Sequence, residues 1–251
     1  MSEPVLPVTP REAIRGYQRE IVLVKGEKFR IDRPAQAERL LDDPRVREQL
    51  LQREIMPYWT DLWPAARMLA KWMVEQNWPA GLQALEIGCG LGLVGVVALS
   101  RGLRVTFSDY DATALEFAAR NARINGYKDF DTLVMDWNHP PQGLKFPVLL
   151  ASDLIYEPRN VAPLVALIKA LLAEEGVALV TDPDRIPAAL FSETLQREGL
   201  PFTTQRLRAG EPGGDRLKGT LYRITQKGGR DPLRHAARPR VEPQENSCQE
   251  D

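Results

Sequence analysis

From Leu82 to Thr181 the chain alternates short, almost wholly apolar runs with segments whose apolar residues recur at helical spacing. The runs Leu82–Ile87, Arg104–Ser108, Thr132–Met135, Phe146–Ser152 and Val177–Thr181 read as strands. Between them, Val94–Ser100, Ala112–Asn125 and Val161–Ala173 read as helices. Leu115, Ala118, Ala119 and Ala122 share one face of the second, and Val161, Leu164, Val165, Ile168, Leu171 and Leu172 one face of the third. Strands without polar alternation are buried on both faces, so the pattern predicts a parallel sheet covered by helices on each side. A helix over Pro187–Glu198, closed by Gly199, leads to two last strands, Phe202–Leu207 and Thr220–Thr225. The turn-rich "RAGEPGGDR" between them predicts a hairpin with a long tip. The expected fold is a doubly wound α/β sheet of seven strands, mostly parallel, ending in an antiparallel hairpin.

Ahead of this core, "REIVLV" and "KFRI" within Arg19–Arg33 predict a hairpin turning at Lys25-Gly26-Glu27. A helix-prone stretch, Ala35–Glu54, follows. Ala65, Ala66, Leu69 and Met73 then mark a helix from Leu62 onward. The expected organisation is an N-terminal extension over 1–57, the α/β domain over 58–227 and a disordered tail over 228–251, where proline and charge dominate.

Composition removes several functions. Thirty-three basic and 34 acidic residues leave a formal net charge of -1, unlike a surface built to hold phosphate backbones, so no nucleic-acid partner is expected. Cys89 and Cys248, and His139 and His235, lie at no metal-ligand spacing, so no metal is expected. Met1–Arg11 lacks the cationic start and apolar stretch of a signal peptide, and no apolar run approaches a bilayer span. A cytoplasmic, monomeric protein away from membranes is the expectation.

"LEIGCGLG" sets Gly88, Gly90 and Gly92 at the turn from the first core strand into a helix. There, bare backbone can lie against a ligand and helix amides point at it. Gly90, Gly92 and Gly95 also satisfy the dinucleotide pattern G-x-G-x-x-G. Glu86, just ahead of the glycines, opposes that reading, because a carboxylate would repel a pyrophosphate. It suits a ligand carrying an amino group and a sulfonium, which points to S-adenosylmethionine. Asp109 ends the second strand about 20 residues on, where an acid accepts from ribose hydroxyls; Asp111 and Thr113 suffice to cap the next helix. Asp136 can accept from an adenine amine and Trp137 can wall the ring, although a loop acid and a rim tryptophan fit the same positions.

Together "PYWTDLWPAARMLA", "LEIGCGLGLVG", "SDYD", "VMDW" and "SDLIY" resemble the seven-β-strand methyltransferases of family 16, over about Tyr17–Thr225. Characterised members include protein lysine methyltransferases. The resemblance implies that Trp63 lies beside the cofactor and that Ser152 contacts it through the backbone. It also implies that Asp153 and Tyr156 line the methyl-transfer site. The implied reaction is N-methylation of a protein lysine, with a small-molecule amine or a non-catalytic binding role as alternatives. "SDLIY" lacks the prolines usual at this strand end in nucleic-acid amino methyltransferases. Tyr58, Trp59 and Trp72 are expected in the core or a lid, with Trp59 equally suited to the site.

Overall fold

A computed structural model describes residues 9–54, 56–209, 217–229 and 231–233. Strands β1 (Tyr17–Val24) and β2 (Glu27–Pro34) form an antiparallel hairpin with Val24 opposite Glu27. Lys25 and Gly26, both at positive φ, make the two-residue turn whose twist suits a hairpin. The stretch expected to be one helix divides at Pro44. Ala37–Asp42 is a 3-10 turn, and α1 (Pro44–Arg53) begins on the proline, which has no N–H to continue an incoming helix but fits a first turn. Helix α2 (Pro64–Val74) likewise starts on proline.

The alternating elements follow in order: β3 (Gln83–Ile87), α3 (Leu93–Ser100), β4 (Arg104–Asp109), α4 (Ala112–Ile124), β5 (Asp131–Val134), β6 (Phe146–Ser152), α5 (Pro158–Leu171), β7 (Leu172–Asp182), α6 (Ala188–Arg197), β8 (Phe202–Arg208) and β9 (Lys218–Ile224). The seven-stranded sheet has the order β5-β4-β3-β6-β7-β9-β8. Strands β3 to β7 run parallel, and β9 inserts antiparallel between β7 and β8. Strand β7 starts five residues before the expected Val177, because Leu172 pairs with Phe146 ahead of an irregularity in the register.

Alternation along the strands sorts the core into two layers. Ala84, Val148, Leu150, Val177 and Leu179 face a cluster shared with α2, α3, α4 and the hairpin. Leu85, Ile87, Leu149, Ala151, Ala178 and Val180 face one shared with α5 and α6. The hairpin is fixed by polar contacts as well. Buried Asp32 accepts from Arg19 Nε at 2.6 Å and Arg120 Nε at 2.8 Å. These arginines hold its carboxyl below the usual range against the opposing effect of burial. Asn121 on α4 completes the joint, accepting from Asp32 N–H and donating to the carbonyls of Asp32 and Leu91.

Beyond Gly228, where disorder was expected, Asp231 is buried and paired with Arg223, and Leu233 packs against the first cluster. Residues 234–251, and 210–216 at the expected hairpin tip, lie outside the described residues. Among the described residues no helix is long and apolar enough to cross a membrane, and no group of three His, Cys, Asp or Glu side chains is placed to hold a metal ion.

Candidate active site

A cavity of about 820 Å3 opens where β3, β4, β5 and β6 end, within the range of small-ligand sites. The strands deliver Ile87–Gly90, Asp109, Met135–Asn138 and Ser152–Leu154 to its wall. This is the carboxyl edge of an open parallel sheet, where crossover loops diverge and leave a crevice.

The β3 turn is bare backbone by necessity. Gly88 has φ +58°, and a Cβ there would stand 2.7 Å from Leu154 Cδ2. Gly90 has φ +50°, and a Cβ would press on the Trp59 carbonyl at 3.3 Å. Asp109, buried at the end of β4, braces the turn: Oδ2 accepts from Gly90 N–H at 2.9 Å and Oδ1 from Asp111 N–H at 3.1 Å. Burial pushes its carboxyl up to about 6, although those N–H groups oppose the shift. Asp111 caps α4 through Thr113 N–H, as expected, and also accepts from the backbone and hydroxyl of Thr9. Thr9 Oγ1 in turn accepts from Trp59 Nε1 at 3.2 Å, which holds Trp59 in the cavity wall.

The turn after β6 is built differently. Asp153 adopts φ +60°, a left-handed conformation uncommon for residues other than glycine, with its N–H on the Thr181 carbonyl. Its residue exposure is 6%. Oδ1 accepts from Arg185 Nε at 2.8 Å, whereas Oδ2 is buried with no partner. Arg185 is fixed at both ends, since Asp182 Oδ1 accepts its N–H at 2.7 Å. Burial works against the Arg185 charge, but Asp153 and Asp182 outweigh it and hold the guanidinium above its ordinary value. The Arg185 guanidinium lies 5.8 Å from the centre of the Trp63 ring. Tyr58 meets both Trp63 and Tyr156 edge-on, and Trp63 Nε1 donates to the Tyr58 carbonyl at 2.8 Å. Burial pushes the Tyr156 hydroxyl up.

Of the expected residues, Trp63, Gly88, Gly90, Asp109, Asp136, Trp137, Ser152, Asp153 and Tyr156 line this one cavity. Asp136 does so with Oδ1 accepting from Asn138 and Oδ2 meeting His139 Nδ1 at 3.0 Å. Glu86 and Gly92 are placed elsewhere. Glu86 is buried behind the turn, with Oε2 accepting from Gly95 N–H at 2.9 Å, so its carboxylate is not presented to a ligand. Burial pushes that carboxyl up to about 8. Gly92 is the N-cap of α3, where a Cβ would stand 2.8 Å from Ala118 Cβ; its smallness serves helix packing. Trp72 is a core residue, as expected, donating to Gln205 Oε1. Arg185, Tyr110 and Asn160 line the cavity without having been expected there. The strand-end rule that marked Asp109 extends to "TDPDR" after β7 and would have found Arg185.

Residues 50–192 match the lysine methyltransferase family. The chain belongs to that family. Curated relatives include the ribosomal protein L11 methyltransferase of Shewanella woodyi, 31% identical over 112 residues, covering 44% of this chain and 38% of that protein. The histone-arginine methyltransferase METTL23 of Homo sapiens is 30% identical over 123 residues, covering 44% of this chain and 62% of that protein. In both, less than two thirds of the relative's own length is matched. The N-methyltransferase NodS of Bradyrhizobium japonicum, solved with S-adenosyl-L-homocysteine, shares the fold at a TM-score of 0.52 and 16% identity, over 71% of this chain and 95% of that one.

The chain thus has the fold of a methyltransferase solved with S-adenosyl-L-homocysteine, and the cavity residues fit S-adenosylmethionine. Gly88 and Gly90 are packed so that a Cβ would meet Leu154 or Trp59, which keeps this stretch of the cavity wall bare backbone. Asp109 stands beside it with an acid suited to hydroxyl donors, and the aromatic walls suit an adenine ring.

Proposed function

We propose that this chain methylates the side-chain amine of a protein lysine. The observation that carries the reading is the unpartnered Oδ2 of Asp153, a buried acceptor at a cavity walled by Tyr58, Trp63 and Tyr156. A buried acceptor without a partner costs roughly 1–3 kcal/mol, and an incoming N–H donor would remove that cost. The family and the protein acceptors named for its relatives support a protein substrate.

Gly88, Gly90, Asp109, Trp137, Ser152 and Trp63 would hold S-adenosylmethionine, with Asp136 shaping the turn that carries Trp137. When bound, the cofactor supplies an electrophilic methyl group: the N–C bond forms as the S–C electron pair returns to sulfur. The chain's own part is to aim the amine and exclude water, which in well-oriented systems is worth about 7–11 kcal/mol. Asp153 Oδ2 would accept an amine N–H and fix its direction. Tyr156 and Tyr58 would pack the aliphatic stem. Aromatic burial disfavours the ammonium form, so the amine sheds its proton to solvent on entering.

The test is incubation of the purified chain with tritiated cofactor and a lysate of cells lacking the gene. Label in protein, recovered as methyl-lysine after hydrolysis, is the expected result. Label only in the low-mass fraction would replace it with a small-amine reading, and cofactor binding without any transfer would leave a binding domain.

A further inference from the structure

Arg185 sits in the cavity wall, its backbone is tied by Asp182, and its Nε occupies Oδ1 of Asp153; the second oxygens of both acids are buried without a partner, but of the two only Asp153 lines the cavity. Asp184, at φ +59°, accepts from Thr220 Oγ1 and pairs with Arg206, and so pins the same loop to β8 and β9. The loop therefore has two fixed points immediately ahead of Arg185.

We propose that Arg185 is a positioning and selecting residue, which leaves Asp153 one unpartnered acceptor oxygen beside a fixed cation and so admits an acceptor with a single nitrogen while rejecting a guanidinium. This deepens the lysine reading and rests on it. Recognition of a guanidinium by a carboxylate is commonly bidentate and takes both oxygens. Here one is already held, so a second guanidinium could bind only end-on. It would also stay charged next to Arg185, because a guanidinium does not lose its proton in proteins. A lysine ammonium faces the same repulsion but escapes it by becoming the neutral amine, which is the nucleophile. The cation that repels arginine thus promotes the reactive form of lysine.

The experiment uses the full chain and two probes, S-adenosylhomocysteine and the cofactor analogue in which an amine-bearing carbon replaces the methyl-bearing sulfur. Calorimetry measures the ratio of their dissociation constants, which cancels changes common to both. In R185Q, loss of the cation and release of Oδ1 should raise the relative affinity for the amine analogue about tenfold or more, as expected for removing a like charge a few ångströms away. R185K, which restores the charge but not the guanidinium, should return most of that shift. Ratios within twofold of wild type in R185Q, with S-adenosylhomocysteine still bound, would overturn the role of Arg185 alone. No binding of S-adenosylhomocysteine by the wild-type chain would instead overturn the cofactor site on which it rests. Hydrolysates of protein labelled by the wild-type chain should contain methyl-lysine, and methylarginine among them would overturn the selection.

Discussion

Strands β3 and β6 lie side by side at the centre of the sheet, and the chain leaves them by opposite means. After β3 it exposes backbone: two glycines at positive φ, braced from beneath by Asp109, with no charged side chain of the turn facing the cavity. After β6 it exposes a side chain: Asp153 takes the left-handed conformation itself, which costs about 1–3 kcal/mol for a non-glycine residue, and presents a half-satisfied carboxylate. The β3 turn is suited to lie flat against a large ligand through shape. The β6 turn is suited to direct one small donor. Glu86 and Asp153 sharpen the contrast, since both are buried acids at strand ends. One oxygen of Glu86 is tied to Gly95 N–H inside the fold, whereas Oδ2 of Asp153 has no partner in it.

The largest effect should come from breaking the β6 side. Asp153→Ala removes the proposed aim of the amine, and a misplaced nucleophile costs about a hundredfold or more in rate. Turnover should fall at least that far in the lysate assay, while S-adenosylhomocysteine affinity stays within a few-fold by calorimetry. Equal losses in both would mean that the two turns form one binding surface and not two devices. On the β3 side the order reverses. Asp109→Ala should weaken S-adenosylhomocysteine binding by about ten- to a hundredfold, the worth of hydrogen bonds to a charged group, partly through the unbraced Gly90. Unchanged affinity would remove Asp109 from the site.

The difference between these turns was only partly legible in the sequence. Elements of the sheet were legible because uninterrupted apolar runs and helical spacing are local signals. Pro44 and the early start of β7 were not read, since one needs attention to a single missing N–H and the other depends on pairing with Phe146. Glu86 was assigned to the ligand because the acid stands next to the glycines in sequence. Strand alternation held the opposing signal: Ile87 and Leu85 face α5, so Glu86 points with Ala84 toward α3, where Gly95 meets it. Arg185 was missed for another reason: strand-end residues were not followed past β6, and the contacts that fix this side chain are not local. Its position follows from Asp182 and Asp153, which are 29 residues apart in the chain and meet only when β6 and β7 pair.

The placement of Glu86 has a measurable consequence for stability. In the folded chain burial pushes its carboxyl up to about 8, while in the unfolded chain it titrates in the ordinary carboxylate range. Between those values the folded state keeps a proton that the unfolded state has lost, so stability is greatest below the ordinary range and declines as pH rises through about 8. Asp109 and Asp182, both pushed up to about 6 by burial, add to the decline only at lower pH. Urea denaturation from pH 6 to 8 should therefore show a loss of as much as about 2 kcal/mol that Glu86→Gln flattens. A wild-type curve already flat across that window would show that the carboxylate is satisfied in its ionised form.

The smallest effect should come from Asp136, which tests how far the β3 pattern of shape over charge extends along the sheet edge. Asp136 lines the cavity beside Trp137, yet its oxygens already meet the N–H and side-chain amide of Asn138 and the ring of His139. Burial would raise its carboxyl, but these donors win and hold it below the ordinary range. A carboxylate so occupied has little to offer an adenine amine, whereas its turn sets the angle of Trp137. Asp136→Asn should keep most of the turn and change S-adenosylhomocysteine affinity about twofold, while Trp137→Ala, which removes an aromatic wall, should cost more, about tenfold. The reverse order would make Asp136 a direct ligand and end the distinction between a cofactor side read by shape and an acceptor side read by charge.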